Sequence, residues 1–231
     1  MIKFENVKVM NFEGAFRGMR NPLNSWEMSD SQVCPNALGF EDCKANCNTC
    51  PRNDDNFGEA VFCIGAKDLD LAQRLIKAGS DHRKFLRQIF VSVDITAPLY
   101  WWKEFDTYKV GTVANSCSTM HKIHSKPIEI SDFSVDDVYL TSENFRAMFQ
   151  RTVDNCETLR SLYILTKSSR YWRALIQLLP ESYNQRRTIT LNYENLRNIY
   201  GSRRNHKLDE WSIGFIDWIS TLPYAEELIK Y

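Results

Sequence analysis

The sequence lacks an excess of charge of either sign. Its 231 residues include 29 basic side chains (Lys and Arg) and 29 acidic ones (Asp and Glu), so the formal net charge is zero. A neutral chain has no general electrostatic attraction to nucleic acid or to an anionic membrane. We therefore expect neither as a partner, and any site for an anionic ligand must be local.

The sequence also lacks a long apolar segment. No apolar run approaches the roughly 20 residues that a membrane-spanning helix requires. Residues 1–14 (MIKFENVKVMNFEG) alternate apolar and polar side chains and do not form a secretory signal. We therefore expect a cytoplasmic protein, in which thiols stay reduced. Its seven cysteines then require an explanation other than disulfide bonds.

Four of these cysteines, Cys34, Cys43, Cys47 and Cys50, form the pattern C-x8-C-x3-C-x2-C. They lie in residues 30–57, a stretch rich in Asn, Asp and Pro that has no sustained period and indicates an insertion near the N-terminus. Thiolates at such spacings can hold zinc or an iron–sulfur cluster, and the metal would order a segment with little apolar content. We expect a metal here, with zinc as the first choice. The alternative is four unrelated reduced thiols.

Hydrophobic periodicity elsewhere predicts an α+β fold, a mixed sheet with long helices, in a single domain over residues 1–231. Residues 89–96 alternate like a strand with one buried side, and residues 187–191 are rich in β-branched side chains. Two more strands are predicted at residues 2–10 and 59–64, and helices at residues 12–19, 68–77, 98–105, 142–179 (as two helices), 194–203, 208–220 and 223–230.

The stretch over residues 97–121, APLYWWKEFDTYKVGTVANSCSTMH, begins with an aromatic half. Leu99, Trp102 and Phe105 recur at helical spacing, and aromatic side chains bury large areas. This half is therefore predicted to be a buried helix.

The second half of the stretch is polar. Asn115, Ser116 and Ser118 offer an amide and hydroxyls suited to reading the edge of a uracil-like base. No base is paired with Ser118 nearby in the sequence, so we expect Ser118 to orient a substrate and not to act as a nucleophile.

Two further groups of side chains have both a structural and a functional interpretation. Cys117, His121 and His124 form C-x3-H-x2-H, which on one helical face could bind zinc, although polar lining of a pocket is the favoured interpretation. Five arginines in the last third of the chain are most simply a solvated face, yet two of them near His206 form the best local anion site. These five are Arg186, Arg187, Arg197, Arg203 and Arg204.

Several of these motifs, in this order, resemble the flavin-dependent thymidylate synthases. These are tetrameric enzymes that methylate dUMP with FAD, a reduced nicotinamide and methylenetetrahydrofolate. In register with Ala97-Pro98, Lys103-Glu104 falls on the Arg-Gln pair of the family, and Thr107-Tyr108-Lys109 falls on the first residues of its signature RHRxxSxNExSxRY. Counted from the other end of the signature, Asn115 and Ser118 fall on its Asn and its second Ser.

A second match lies further along the chain. The sequence has Leu179-Pro180 and then a Thr-containing strand. Asn192 precedes a helix, and Asn198 lies further along that helix. The similarity is completed by Arg203 or Arg204 near the end of the helix, and by His206 with Glu210-Trp211.

The resemblance implies a fold of this type, a homotetramer, and methylation of dUMP at C5 or a related flavin-assisted reaction on a pyrimidine nucleotide. It implies that the residues facing FAD are Arg87, Tyr108, Lys109, Asn192, Asn198 and His206. It also implies that the substrate is bound by Lys103, Glu104, Asn115, Ser116, Ser118 and Arg203, and that Ser118, Arg203 and Arg204 serve the reaction.

Some basic residues of the family pattern are replaced. Met120 and Ile176 stand where arginines are expected, and Arg87-Gln88 stands where a Glu-His pair is usual. Guanidinium groups match phosphate oxygens better than hydroxyl or ammonium groups do. Two alternatives therefore stay open. One is a non-catalytic nucleotide-binding module on the same scaffold with a metal-stapled loop, and the other is an interaction protein that works through its cysteine-rich insertion.

Overall fold

The computed structural model describes residues 2–34, 61–136 and 141–231, and in these it mixes helices and strands as predicted. The strands are β1 (Lys3–Met10), β2 (Gln32–Val33), β3 (Phe62–Cys63), β4 (Phe90–Pro98), β5 (Val113–Ser116) and β6 (Asn184–Asn192). The helices are α1 (Phe12–Arg20), α2 (Ala66–Lys77), α3 (Leu99–Phe105), α4 (Thr119–Lys122), α5 (Glu143–Thr166), α6 (Ser169–Leu178), α7 (Tyr193–Arg203) and α8 (Ile216–Ser220). No helix among these residues is long and apolar enough to cross a membrane.

The main sheet has four strands in the order β1–β4–β6–β5. In β4 the side chains of Val91, Val93 and Ile95 are fully buried, while the alternate positions are half-buried, as the alternating sequence predicts. Strands β2 and β3 form a separate antiparallel pair in which Gln32 lies opposite Cys63 and Val33 opposite Phe62.

The chain divides into two compact units. Unit 1 comprises Met1–Asn6, Val93–Lys109 and Val113–Ile189. Its helices α5 and α6 pack against each other. Its apolar core is formed by Ile123, Ile128, Phe133, Phe149, Val153, Cys156, Leu175 and Tyr183. Helix α3 buries Trp101, Trp102 and Phe105, so the aromatic half of the stretch over residues 97–121 is the predicted buried helix.

Unit 2 comprises Val7–Ser92, Val110–Thr112 and Thr190–Tyr231. Aromatic rings pack together in its interior, where Phe12 contacts the rings of Phe62, Tyr193 and Tyr224. A buried ion pair joins Arg20 of α1 to Asp68 of α2. This pair ties the first helix of the unit to the second.

Most predicted elements are confirmed among the described residues, and two regions differ. The helix predicted at residues 223–230 is a π-helical segment at Ala225–Ile229. The helices at residues 12–19 and 194–203 and the strand at residues 187–191 are present, and the long helical segment is divided next to Ser168. Residues 208–220 are not one α-helix, because Glu210–Phe215 forms a π-helical segment before α8. Its hydrogen bonds span five residues, and both Trp211 and Phe215 are fully buried.

Candidate functional site

A cavity of about 570 Å³ lies in unit 1. Its walls come from the start of β1, from β4 and β6, and from the segments around α4 and Phe133. The polar lining consists of Thr96, Cys117, Ser118, Thr119, Ser125, Ser131, Asn184 and Gln185, and the charged lining of Lys3, Lys122, Lys126, Asp132 and Arg186. The remaining lining residues are Ile123, Phe133 and Tyr183. Four cationic side chains therefore face one acidic side chain.

Two aromatic side chains form the apolar wall of the cavity. Phe133 and Tyr183 are backbone bridge partners, and their rings pack edge to face with centroids 5.5 Å apart. Burial raises the pKa of the Tyr183 hydroxyl, so this side chain stays neutral at physiological pH. The wall is an uncharged aromatic surface, and aromatic side chains pack favourably against a planar ring.

The four cations of the cavity are not equivalent. Lys126 pairs with Asp132, and this contact raises the pKa of the Lys126 ammonium. Arg186 pairs with Asp94 at 2.6 Å and also approaches Glu5. In the part of the chain that the structure describes, Lys3 and Lys122 have no ion-pair partner. These two ammonium groups therefore carry the uncompensated positive charge of the cavity.

Asp94 holds Arg186 in place from outside the cavity lining. Its carboxylate accepts hydrogen bonds from Thr188 at 2.5 Å, from Arg186 at 2.6 Å and from Asn6 at 2.8 Å. These donors, with Thr188 as the largest contributor, hold the pKa of Asp94 well below its usual range. The charge that orients Arg186 is therefore present at all physiological pH values.

Hydrogen bonds from Gln185 fix the wall that carries Cys117. The Gln185 amide donates to the Cys117 carbonyl at 2.8 Å, and its side-chain oxygen accepts from Arg187 Nε at 2.9 Å. Arg187 also stacks over the Trp102 ring and pairs with Asp106. The thiol of Cys117 is exposed on this rigid wall.

Ser118 reaches the cavity as the N-cap residue of α4. Its Oγ accepts the backbone N–H of His121 at 3.0 Å and lies 2.8 Å from Nδ1 of the same residue. Sequence reasoning missed this imidazole partner. The available signal was the spacing S-x-x-H, since an N-cap side chain meets the third residue of its helix.

The other predicted substrate residues of unit 1 do not line the cavity. Lys103 pairs with Glu181 at an exposed position, and Glu104 of the same helix is half-buried. Asn115 and Ser116 lie exposed in β5 at the edge of the sheet. Of the predicted substrate residues, the cavity therefore includes Ser118 alone.

The predicted nucleotide-contacting residues of unit 2 lie around the end of α7. The guanidinium of Arg203 lies 5.2 Å from the centre of the Trp211 ring, and that of Arg204 lies 5.9 Å from the Tyr200 ring. The Nδ1 atom of His206 accepts the backbone N–H of Leu208 at 3.1 Å.

The residues expected around FAD do not assemble into one site within either unit. Tyr108 and Lys109 belong to unit 1, whereas Arg87, Asn192, Asn198 and His206 belong to unit 2. None of the six lines the unit 1 cavity or a second cavity of about 360 Å³ that lies beside α1 in unit 2.

The side chain of Asn192 forms a hydrogen bond within the protein. It is almost fully buried, and it forms a reciprocal capping box with Asn195 at the start of α7. The amide of Asn195 donates to the Val110 carbonyl at 2.7 Å, and Gly111 of the same loop has a positive φ of 78°. The two asparagines thus fasten the loop over residues 110–112 to α7.

Two motifs of the sequence could hold a metal ion, one at the cysteine-rich insertion and one at Cys117, His121 and His124. Cys43, Cys47 and Cys50 lie outside the described residues, while Cys34 is buried beside Val61 and Cys63. The described residues contain no group of three His, Cys, Asp or Glu side chains that could hold a metal ion.

That finding corrects the zinc interpretation of Cys117, His121 and His124. Helix α4 covers only Thr119–Lys122, so Cys117 precedes it and His124 lies in the 3-10 turn that follows. The three side chains therefore do not share one helical face.

The chain has the fold of the flavin-dependent thymidylate synthases. A solved structure of ThyX from Helicobacter pylori, complexed with FAD and dUMP, superposes with a TM-score of 0.64 over 99% of this chain and 97% of that one, at 16% sequence identity. A second ThyX structure from Helicobacter pylori with FAD and dUMP gives a TM-score of 0.63, with 100% and 97% coverage and the same 16% identity. No protein-family model and no curated protein sequence matches the chain.

Proposed function

We propose that the unit 1 cavity binds a pyrimidine nucleotide, with dUMP as the candidate. The observation that carries this proposal is the pair of uncompensated ammonium groups, Lys3 and Lys122, at a cavity that also has an aromatic wall. A nucleotide combines an anionic phosphate with a planar base, so it needs both features. A volume of about 570 Å³ lies within the usual range for small-molecule sites.

The fuller form of the proposal is a flavin-dependent thymidylate synthase-like enzyme. In that reaction dUMP would be methylated at C5, with methylenetetrahydrofolate as the carbon donor, reduced nicotinamide as the reductant and FAD as the cofactor. The support is the shared fold, since the Helicobacter pylori structures contain FAD and dUMP. A homotetramer belongs to the same proposal.

A second candidate is a non-catalytic module that binds the nucleotide on this scaffold. The buried cap formed by Asn192 supports it, since Oδ1 of this side chain already accepts the backbone N–H of Asn195. Thr107, which stands at an arginine position of the signature, donates its hydroxyl to the Glu104 carbonyl of α3. An absorbance spectrum separates the candidates: a flavin band in the purified or FAD-reconstituted protein supports the enzyme, and colourless protein that binds dUMP supports the module.

Alkylation of Cys117 tests nucleotide binding inside the cavity. The exposed Cys117 thiol lines the cavity, whereas Cys156 is fully buried, and burial raises the pKa of the Cys156 thiol to about 11. We expect dUMP to slow the reaction of Cys117 with iodoacetamide in a saturable manner, measured by peptide mass spectrometry. Deoxyuridine, which lacks the phosphate, should protect at much higher concentration. An alkylation rate of Cys117 that is the same with and without saturating dUMP contradicts the proposal.

A metal at the cysteine-rich insertion remains a proposal from the sequence, as a structural clip of zinc or an iron–sulfur cluster. The motif over residues 34–50 is the support. Metal analysis of purified protein tests it, with Cys117→Ser as the control and Cys47→Ser as the variant. Equal zinc and iron in both variants, or neither metal in the wild type, counts against the clip.

A further inference from the structure

Ser118 and His121 form a contact in the cavity wall that sequence reasoning did not anticipate. Ser118 Oγ lies 2.8 Å from Nδ1 of His121 and accepts the His121 backbone N–H at 3.0 Å. Ser118 lines the cavity, while the His121 ring is exposed to solvent. These two contacts therefore determine whether the Ser118 hydroxyl can donate a hydrogen bond to a ligand or accept one from it.

A serine hydroxyl has one hydrogen to donate and two lone pairs that accept. The His121 backbone N–H occupies one lone pair. With the hydrogen directed at Nδ1 of His121, a single lone pair remains for the cavity. In that arrangement Ser118 accepts hydrogen bonds from a ligand and cannot donate to it.

We propose that His121 is a positioning residue that makes Ser118 an acceptor toward the nucleobase, and that this selects uracil over cytosine. The inference rests on the proposed nucleotide-binding function. In a uracil nucleotide the base has one N–H donor, at N3, whereas N3 of cytosine is an acceptor. Ser118 then receives the N3–H of uracil, while N3 of cytosine would face a lone pair with no hydrogen between them. An unpaired polar contact of this kind strongly disfavours the wrong ligand.

The test compares dUMP and dCMP by isothermal titration calorimetry on the full chain. We expect the wild type to prefer dUMP by at least about tenfold. His121→Phe removes the Nδ1 acceptor, so the Ser118 hydrogen becomes available to N3 of cytosine, and the preference should fall to within about threefold. Because His121 is exposed, this variant is expected to fold, which circular dichroism verifies.

Two matched variants separate this role from a structural one. Ser118→Thr keeps a hydroxyl at the N-cap and should keep the dUMP preference. Ser169→Ala removes an exposed hydroxyl of unit 1 outside the cavity lining and should leave both affinities unchanged. A merely structural role of His121 would change both affinities by the same factor.

The outcomes are distinguishable. A wild-type preference for dCMP, or a dUMP-to-dCMP ratio that His121→Phe leaves unchanged, overturns the inference while nucleotide binding stands. Binding of neither nucleotide overturns both the inference and the proposed function.

Discussion

Phe133 and Tyr183 are in contact through both backbone and side chain. They are bridge partners, and their rings pack edge to face with centroids 5.5 Å apart. The same two side chains belong to the unit 1 core and line its cavity. This contact therefore contributes both to the core of the unit and to the shape of the candidate site.

Replacing Phe133 with Ala tests that coupling. Phe133 is 6% exposed, so its loss leaves a cavity in the core and should lower the free energy of unfolding by about 3 kcal/mol. Urea denaturation followed by near-ultraviolet circular dichroism measures the change. Phe145 of α5 is 46% exposed, so Phe145→Ala should cost less than about 1 kcal/mol. Equal losses for the two variants would mean that Phe133 is not a core residue.

The buried Arg20–Asp68 pair predicts an acid-sensitive contribution to stability. Burial opposes ionisation of Asp68, but hydrogen bonds from Ser29, Ser31 and Arg20 outweigh it, so the pKa of Asp68 is lowered. A carboxyl whose pKa is lower in the folded state stabilises the fold above the pKa of the unfolded state. That contribution is lost as the pH falls through the folded-state pKa.

Asp68→Asn should therefore cost about 3 kcal/mol at pH 7, because it leaves Arg20 buried without its counter-charge. The difference from wild type should shrink as acid protonates Asp68 in the wild type. Urea unfolding at a series of pH values measures both effects. The control is Asp70→Asn on the same helix, which removes an exposed pair with Arg74 and should change stability by less than about 0.5 kcal/mol. A wild-type-to-variant difference that is constant with pH contradicts the assignment.

Replacing Gly111 or Gly201 with alanine should change the stability of the protein in opposite directions. Gly111 has a φ of 78°, and a Cβ there would lie 3.0 Å from Nδ2 of Asn192 and 3.1 Å from Oδ1 of Asn195. Gly111→Ala should therefore cost about 1 to 2 kcal/mol. Gly201 lies within α7, and an added Cβ meets no atom within 4 Å, so Gly201→Ala should stabilise the protein by about 0.5 to 1 kcal/mol. Thermal unfolding of both variants checks the signs, and a stabilised Gly111→Ala would refute the role given to the loop.

Sequence patterns predicted those parts of the fold that depend on local periodicity. The alternation of β4 and the helical periods of α1 and α7 were sufficient to place these elements among the described residues. The stretch Glu210–Phe215 was misread because a π-helical turn has no distinct hydrophobic period.

The candidate site was less predictable, because its residues are far apart in the sequence. Lys3 and Lys122 reach one cavity through the arrangement of strands, which no local pattern encodes. The capping box of Asn192 was also missed, although the spacing N-x-x-N at a helix start matches it. Ser118, which was predicted to orient a substrate, lines the cavity, and its His121 partner was missed.

Calorimetric titration of dUMP into the wild type and into the double variant Lys3→Ala/Lys122→Ala tests the central claim most directly. Each ammonium group is expected to contribute about tenfold to phosphate binding, so the double variant should bind dUMP about a hundredfold more weakly. Arg173→Ala removes an exposed cation of unit 1 outside the cavity lining and should bind dUMP like the wild type. Equal affinity of wild type and double variant, or no binding of dUMP by the wild type, would contradict the account.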